Sequence, residues 1–343
     1  MTIQPLPNSP SPQLPISLCS LLSVENLTVE FRTRSGVVKA LAAVDFTVQP
    51  GETVGIVGES GSGKSVTAFT LMGVLDRAGK VTAGRALLQT EAVAVDLLKE
   101  SEASLRQIRG REISMIFQNP RTALNPIRKV GKQITDVLRC HTDLPPKELP
   151  GRALELLASV RIPDPPKRYD AYPYELSGGL CQRIMIALAL ACSPKLLIAD
   201  EPTTGLDVTT QATVMTLIQD LAEQGQMATL LITHDLALAS EYCDRIVVMH
   251  AGHVVESAPT HTLFSHPRHP YTAKLIAATP EPHKSFADLT PIPGSLPDLK
   301  ATTLPPCRFS QRCDRFEAGI CDQTPLVREF VNGDHHVACW KPL

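Results

Sequence analysis

No stretch of this chain approaches the ~20 consecutive apolar residues that a helix needs to cross a bilayer. The most apolar run, Ile184 to Cys192, is far too short. A role at a membrane is therefore expected to come by docking to other subunits. Neither sign of charge is in excess: 33 basic residues face 35 acidic ones, for a formal net charge of −2. That leaves no global basic field to draw the chain to nucleic acid or acidic lipid, and no nucleic-acid partner is expected. The first residues, MTIQPLPNSPSPQLPISL, lack a basic leader and are broken by prolines. They read as a disordered tail over residues 1–20 rather than a signal peptide. Without an export signal the chain is expected in a reducing compartment, so its nine cysteines are not read as a disulfide framework. No internal repeat is visible.

The remaining composition is ordinary. Hydrophobic residues make up 43% and charged residues 20% of 343, which suits one large soluble domain with an appendage. Leu21 to Phe31 and Ala40 to Val48 alternate apolar and polar residues as half-buried strands do. Pro50-Gly51 then turns the chain into an apolar strand, Glu52 to Val57, followed by a glycine-rich loop and a helix over Ser65 to Val74. A more polar stretch leads to a strand at Ile113 to Phe117. Residues 126–173 read as helices interrupted by prolines. Beyond Ser177 the pattern is α/β: a helix to Cys192, a strand ending at Asp200, a helix over Gln211 to Gln224, and strands at Ala228 to Thr233 and Arg245 to His250. Past about Pro259 prolines recur and periodicity is lost, which marks a boundary. The expected division is 1–20, 21–257 and 258–343.

Gly58-Glu59-Ser60-Gly61-Ser62-Gly63-Lys64-Ser65 fits the P-loop pattern between a strand and a helix. Its glycines let successive N–H groups turn inward as an anion nest, and the helix N-terminus adds positive charge to the same spot. Lys64 is expected to reach the β- and γ-phosphates of ATP, and the Ser65 hydroxyl to coordinate Mg²⁺. Downstream, Leu196-Leu-Ile-Ala-Asp200-Glu201 is a buried strand delivering two adjacent carboxylates. Adjacent strand residues face opposite sides, so the two are given different tasks. Asp200 is read as the Mg²⁺ ligand and Glu201 as the general base that polarises water.

The segment Leu176-Ser177-Gly178-Gly179-Leu180-Cys181-Gln182-Arg183 precedes a long apolar helix. On its own Ser177 is an ordinary N-cap. Together with the P-loop and the paired carboxylates, the segment resembles the signature of the ATP-binding cassette family. The resemblance covers Leu21 to Ser257, with the motifs in the family's order. Gln118 matches the Q-loop, Gly205-Leu206-Asp207 the D-loop, and Thr233-His234-Asp235 the switch histidine. Singly, Gln118 could be a polar strand end, Asp207 an N-cap and His234 a core histidine; jointly they support the cassette.

The family resemblance implies an α/β P-loop NTPase with a RecA-like parallel sheet core, a β-subdomain and a helical signature subdomain, here followed by a small irregular C-terminal module. It implies an ATPase whose Glu201, His234 and Gln118 are catalytic, with Ser65, Gln118 and Asp200 around Mg²⁺. Ser177, Gly178, Gly179, Gln182 and Asp207 would close on the nucleotide of a partner domain, so two cassettes sandwich ATP. Family members often place an aromatic residue before the second strand to stack on adenine. Ser35 to Lys39 has none, and Phe31 is the nearest candidate. Cys181 stands where a basic residue is common.

Two further segments are similar to the oligopeptide/dipeptide importer branch: Asn119-Pro120 to Asn125-Pro126, and His266-Pro267-Arg268-His269-Pro270-Tyr271-Thr272. That branch implies two permease subunits, a second related ATPase or a second copy of this chain, an extracytoplasmic solute-binding protein, and a place on the cytoplasmic face of the membrane. Peptides are the usual cargo, and nickel or small-solute importers share the architecture. A soluble cassette ATPase of DNA repair or translation usually carries two cassettes or a coiled-coil insertion, which this chain lacks. Cys307, Cys313, Cys321 and Cys339 form C-x₅-C-x₇-C-x₁₇-C, wider than zinc sites prefer. A [4Fe–4S] cluster, zinc and an empty site all stay open.

Overall fold

In the computed structural model, residues 20–90, 93–280, 290–301, 303–323, 326 and 329–343 are described. The expected N-terminal tail lies almost wholly outside them. In chain order the strands and helices are β1 (Leu22–Thr33), β2 (Gly36–Val48), β3 (Thr53–Val57), α1 (Lys64–Leu71), β4 (Gly79–Gln89), β5 (Ala94–Asp96), α2 (Glu102–Ile108) and β6 (Ile113–Ile116). A helical section follows: α3 (Pro120–Ala123), α4 (Val130–His141), α5 (Leu149–Ser159), α6 (Pro165–Tyr169) and α7 (Gly178–Leu190). Then come β7 (Leu196–Asp200), α8 (Val208–Gly225), β8 (Ala228–Thr233), α9 (Leu236–Tyr242), β9 (Arg245–His250) and β10 (His253–Pro259). The chain closes with α10 (Thr260–Ser265), α11 (Pro270–Ala277), β11 (Glu329–Asn332) and β12 (His335–Val337).

Two sheets organise these elements. A four-stranded antiparallel sheet has the order β2-β1-β4-β5, and a larger sheet has the order β11-β12-β10-β9-β3-β8-β7-β6. In the larger sheet the five strands from β9 to β6 are parallel, which requires both faces to be covered. The side chains divide accordingly. Val54 and Ile56 of β3, Leu196 and Ile198 of β7, and Leu230 and Ile232 of β8 pack toward the antiparallel sheet. Val57, Leu197, Ala199 and Leu231 pack toward the helical section. These strands therefore read as unbroken apolar runs, because alternate residues fill two different cores.

Three elements depart from the sequence reading. β4 occupies the polar stretch before Ile113 and pairs along β1. β10 follows the strand expected to be last and runs across the expected 257/258 division. The C-terminal segment contributes β12 to the main sheet, with Glu256 opposite Val337 and Ser257 opposite His336. Glu256 is the anchor of that junction. Its buried carboxylate accepts the Arg268 and His269 backbone N–H groups at 2.7 and 2.8 Å and lies 2.8 Å from His335 Nε2.

Candidate nucleotide site

The parallel register brings the carboxyl ends of three strands together: Val57 pairs with Thr233, and Asp200 with Ile232. Loops leaving those ends must converge, and this edge is where open α/β sheets bind ligands. The loop of residues 58–63 leaves β3 here and runs into α1, whose first residues are Lys64 and Ser65. Gly58 adopts φ +149°, and a Cβ there would stand 2.1 Å from the Met249 carbonyl oxygen, so only glycine fits. Ser62 Oγ is buried without a hydrogen-bond partner, in a loop whose geometry suits an anion.

Lys64 is buried and folds back over its own loop, donating to the carbonyls of Gly58 at 2.8 Å and Glu59 at 3.1 Å. Burial lowers its pKa, against the opposing pull of Glu201, Asp200 and Glu59. The Ser65 hydroxyl donates to Asp200 Oδ1 at 3.0 Å. This pair is an all-oxygen donor set at the loop, of the kind that suits Mg²⁺. Asp200 is pushed up to about 6, chiefly by burial, with the Ser65 hydrogen bond opposing. A carboxylate so desolvated is made for a nearby cation.

Glu201 diverges from Asp200 because its backbone is left-handed, at φ +48°, a conformation that costs a non-glycine residue energy. Its carboxylate is held on both oxygens. Oε1 lies 3.1 Å from His234 Nδ1, and Oε2 accepts from Gln118 Nε2 at 2.7 Å and Thr204 Oγ1 at 2.9 Å. A carboxylate can only accept here, so His234 Nδ1 is the donor. Burial works to raise the Glu201 pKa, but the bonds from His234, Thr204 and Gln118 and the charge of His234 hold it below the usual range. The result is an oriented, ionised carboxylate beside Lys64 and Asp200, able to align and polarise a water molecule.

The other expected residues lie apart from this cluster. Ser177 is exposed and caps α7, its Oγ accepting the Leu180 N–H at 3.3 Å. Gly178 and Gly179 form the first turn beside it. Gln182 is buried and donates to the Pro202 carbonyl at 2.6 Å, which ties α7 to the turn after Glu201. Asp207 caps α8, bonding the Thr210 N–H at 3.0 Å and its hydroxyl at 2.7 Å. Phe31 packs on the antiparallel sheet, where a Cβ on Gly79 would stand 2.8 Å from its ring. Cys181 is buried under Pro173. Sequence reasoning missed Thr204, whose proximity to Glu201 is decided by the turn, and Arg312 and Tyr271, which bond Glu59 from the C-terminal segment.

Cys307, Cys313, Cys321 and Cys339 line one small cavity with His269, Phe309 and Trp340. Burial pushes the Cys307 thiol up to about 11, with smaller contributions from the other three thiols. Among the described residues, no three ligand-type side chains are grouped closely enough to hold a metal ion. The four thiols share this one cavity.

A glycine loop on a helix N-terminus, facing a strand-end carboxylate and a second oriented carboxylate, defines a P-loop nucleotide-binding protein. Residues 41–204 match the ABC transporter family model, and residues 255–321 match the oligopeptide/dipeptide transporter C-terminal region. The dipeptide transport ATP-binding protein of Escherichia coli is 46% identical over 324 residues, covering 94% of this chain and 97% of that protein. The oligopeptide transport ATP-binding protein of Haemophilus influenzae is 44% identical, covering 93% and 97%. A dimeric ATP-binding cassette solved in a post-hydrolysis state with ADP and Pi superposes with a TM-score of 0.62 at 27% identity, covering 70% of this chain and 98% of its own. The chain belongs to the ABC transporter family, in the branch that carries the oligopeptide/dipeptide transporter C-terminal region. Among the described residues, no helix is long and apolar enough to cross a membrane.

Proposed function

We propose that this chain is the ATP-hydrolysing subunit that powers uptake of di- and oligopeptides through an ABC membrane transporter. The observation that carries the reading is Glu201, fixed by Gln118, Thr204 and His234 beside the Ser65–Asp200 pair. The relatives' names supply the cargo class.

In this reading the N–H groups of residues 58–63 cradle the phosphates, and Lys64 leaves the Gly58 and Glu59 carbonyls for the β- and γ-phosphates. Ser65 and Asp200, with Gln118, would hold Mg²⁺, which would supply neutralisation of charge on the phosphate oxygens. Glu201 takes a proton from water as the water oxygen bonds the γ-phosphorus and the bond to the bridging oxygen breaks. His234 orients Glu201 through its Nδ1–H. Inorganic phosphate and ADP leave, and Glu201 returns its proton to solvent.

The signature groups serve a second nucleotide. Ser177 is exposed at a helix N-terminus, and Val208, next to Asp207, is 82% exposed, as an apolar residue awaiting a partner cassette would be. The partner is a related ATPase or a second copy of this chain. Ile127, 84% exposed shortly after the Q-loop, supports docking to two permease subunits. The subunit would then sit peripherally on the cytoplasmic face of the membrane, with a solute-binding protein on the far side. Residues 21–257 would form the motor, followed by a C-terminal extension that begins within β10 and returns to the same sheet through β12. A soft-metal centre at the four terminal cysteines, [4Fe–4S] or zinc, belongs to this proposal as a staple for that extension. Its support is the shared cavity.

The test is reconstitution with peptide-importer permeases and a solute-binding protein in vesicles loaded with ATP. Labelled peptide uptake should require this chain and stop with Lys64→Ala. Peptide-independent uptake of nickel by the same vesicles would replace the cargo assignment.

A further inference from the structure

The P-loop is gripped from outside the cassette. Arg312, in the turn just before Cys313, holds Glu59 through two parallel bonds: Nη1 to Oε2 at 2.8 Å and Nη2 to Oε1 at 2.9 Å. The Arg312 side chain is only 4% exposed. Its Nε donates to the Pro293 carbonyl at 2.7 Å, and its guanidinium lies 5.7 Å from the centre of the Phe309 ring. Nη1 also stands 3.2 Å from His250 Nε2 at the end of β9. The Glu59 backbone is held too, its N–H donating to Tyr271 Oη at 3.0 Å. Tyr271 is fully buried, packed edge-on to His250 and tilted against Phe309. Leu296 reaches the same loop, with Cδ1 3.3 Å from where a Cβ on Gly61 would lie. Helix α11, the segment 290–301 and the turn 310–312 thus meet the loop within three residues.

This grip has two physical consequences. A glycine-rich loop has many backbone states, and only those with inward N–H groups bind phosphate, so apparent affinity scales with the fraction in that state. Second, Glu59 places a carboxylate within the phosphate loop, where it would repel a triphosphate. Arg312 neutralises it in a geometry that a planar guanidinium alone matches bidentately. Two arginines from the stretch bounded by Cys307 and Cys313 share this work. Arg308 bonds the carbonyls of Lys39 and Ala251, which flank the loop, while Arg312 takes Glu59.

We propose that Arg312 is a positioning residue of the nucleotide site: by holding Glu59 it keeps the P-loop in its phosphate-cradling form, so that nucleotide affinity depends on the docked C-terminal extension. The proposal rests on residues 58–65 being the nucleotide site.

Calorimetric titration of the full chain with MgADP tests it, with Lys64→Ala as the control for the site itself. Arg312→Ala should weaken binding about tenfold, while circular dichroism and the melting transition show a folded chain. Arg312→Lys, which keeps the charge but loses the fork, should lie between. In a Glu59→Gln background, where no carboxylate remains to be held, Arg312→Ala should cost little more. In the assembled transporter Arg312→Ala should raise KM for ATP and leave kcat within about twofold. Wild-type affinity in Arg312→Ala, when Lys64→Ala is weakened, would overturn the proposal. So would an equal loss in the Glu59→Gln background, which would assign Arg312 to general stability. If Lys64→Ala also bound normally, the nucleotide-site reading would fail instead. Should Arg312→Ala not fold, Arg312→Lys in the two backgrounds decides in the same way.

Discussion

Gln118 donates its side-chain N–H to Glu201 Oε2 at 2.7 Å, a bond that joins the end of β6 to the turn after β7. Gln118 opens the segment that leads through α3 to the exposed Ile127, and Glu201 is the residue proposed as the base. A shift of that surface segment would reach Glu201 through a single side chain. In the reading proposed above, this is the shortest link between a docked permease and hydrolysis.

Replacing Gln118 by Ala removes the link and leaves Thr204 and His234 on Glu201. Basal hydrolysis by the isolated chain should fall, and stimulation by peptide in the assembled transporter should fall further, by about tenfold or more. Parallel rates with and without peptide measure both, and equal losses would show that Gln118 serves chemistry alone.

Glu201→Gln keeps the shape and removes the proton acceptor. Turnover should fall by about 10²–10⁴, while MgATP affinity stays within a few fold because Lys64, Ser65 and Asp200 are untouched. Phosphate release and equilibrium nucleotide binding, measured on one preparation, separate the two effects. Normal turnover would remove Glu201 from the role of base.

Burial pushes the Asp200 carboxyl up to about 6. A proton there competes with Mg²⁺, so apparent Mg²⁺ affinity should be flat above neutrality and fall about tenfold per pH unit below 6. The raised pKa means the metal-free folded chain binds this proton more tightly than the unfolded chain. Its contribution to stability is therefore full below the ordinary carboxylate pKa and lost as pH rises through 6. Titrating Mg²⁺ in the presence of ADP from pH 5 to 8 checks the first effect, and Asp200→Asn should flatten it.

Glu256 satisfies two backbone N–H groups and His335 at a buried junction. Glu256→Ala leaves all three without that partner and should cost about 3–5 kcal/mol. The loss should appear first in the extension. Hydrogen exchange is expected to rise in α11 and β12 before the parallel strands open, with a lower urea midpoint overall.

The terminal cysteines give a clear chemical readout. Protein purified without oxygen should carry about four irons per chain if a [4Fe–4S] cluster is held, with broad thiolate–iron absorbance, and Cys313→Ser should remove it. One zinc per chain without iron would keep the staple and change its metal. A metal-free, fully folded chain would discard both.

The nucleotide site was legible because its motifs are contiguous. A glycine loop between a strand and a helix creates its own anion nest, and a buried strand ending in Asp200-Glu201 delivers both carboxylates, wherever the rest of the chain goes. The parallel core was legible for a related reason: strands buried on both faces must be apolar throughout. Strand β4 escaped notice because its register against β1 is decided by pairing, while its own residues, Lys80 to Gly84 among them, are polar, small and mostly exposed. The sequence by itself determined the phosphate loop, the paired carboxylates, the helix caps at Ser177 and Asp207, and the family. Only the tertiary structure decided that Glu201 is held at both oxygens and that the end of the chain grips its beginning. Arg312 and Glu59 are 253 positions apart, and neither residue's neighbours carry a local pattern that requires the other. Their pairing follows from β12 adding to β10 and from Tyr271 and Phe309 packing under β9. Those contacts exist only once the sheet has formed.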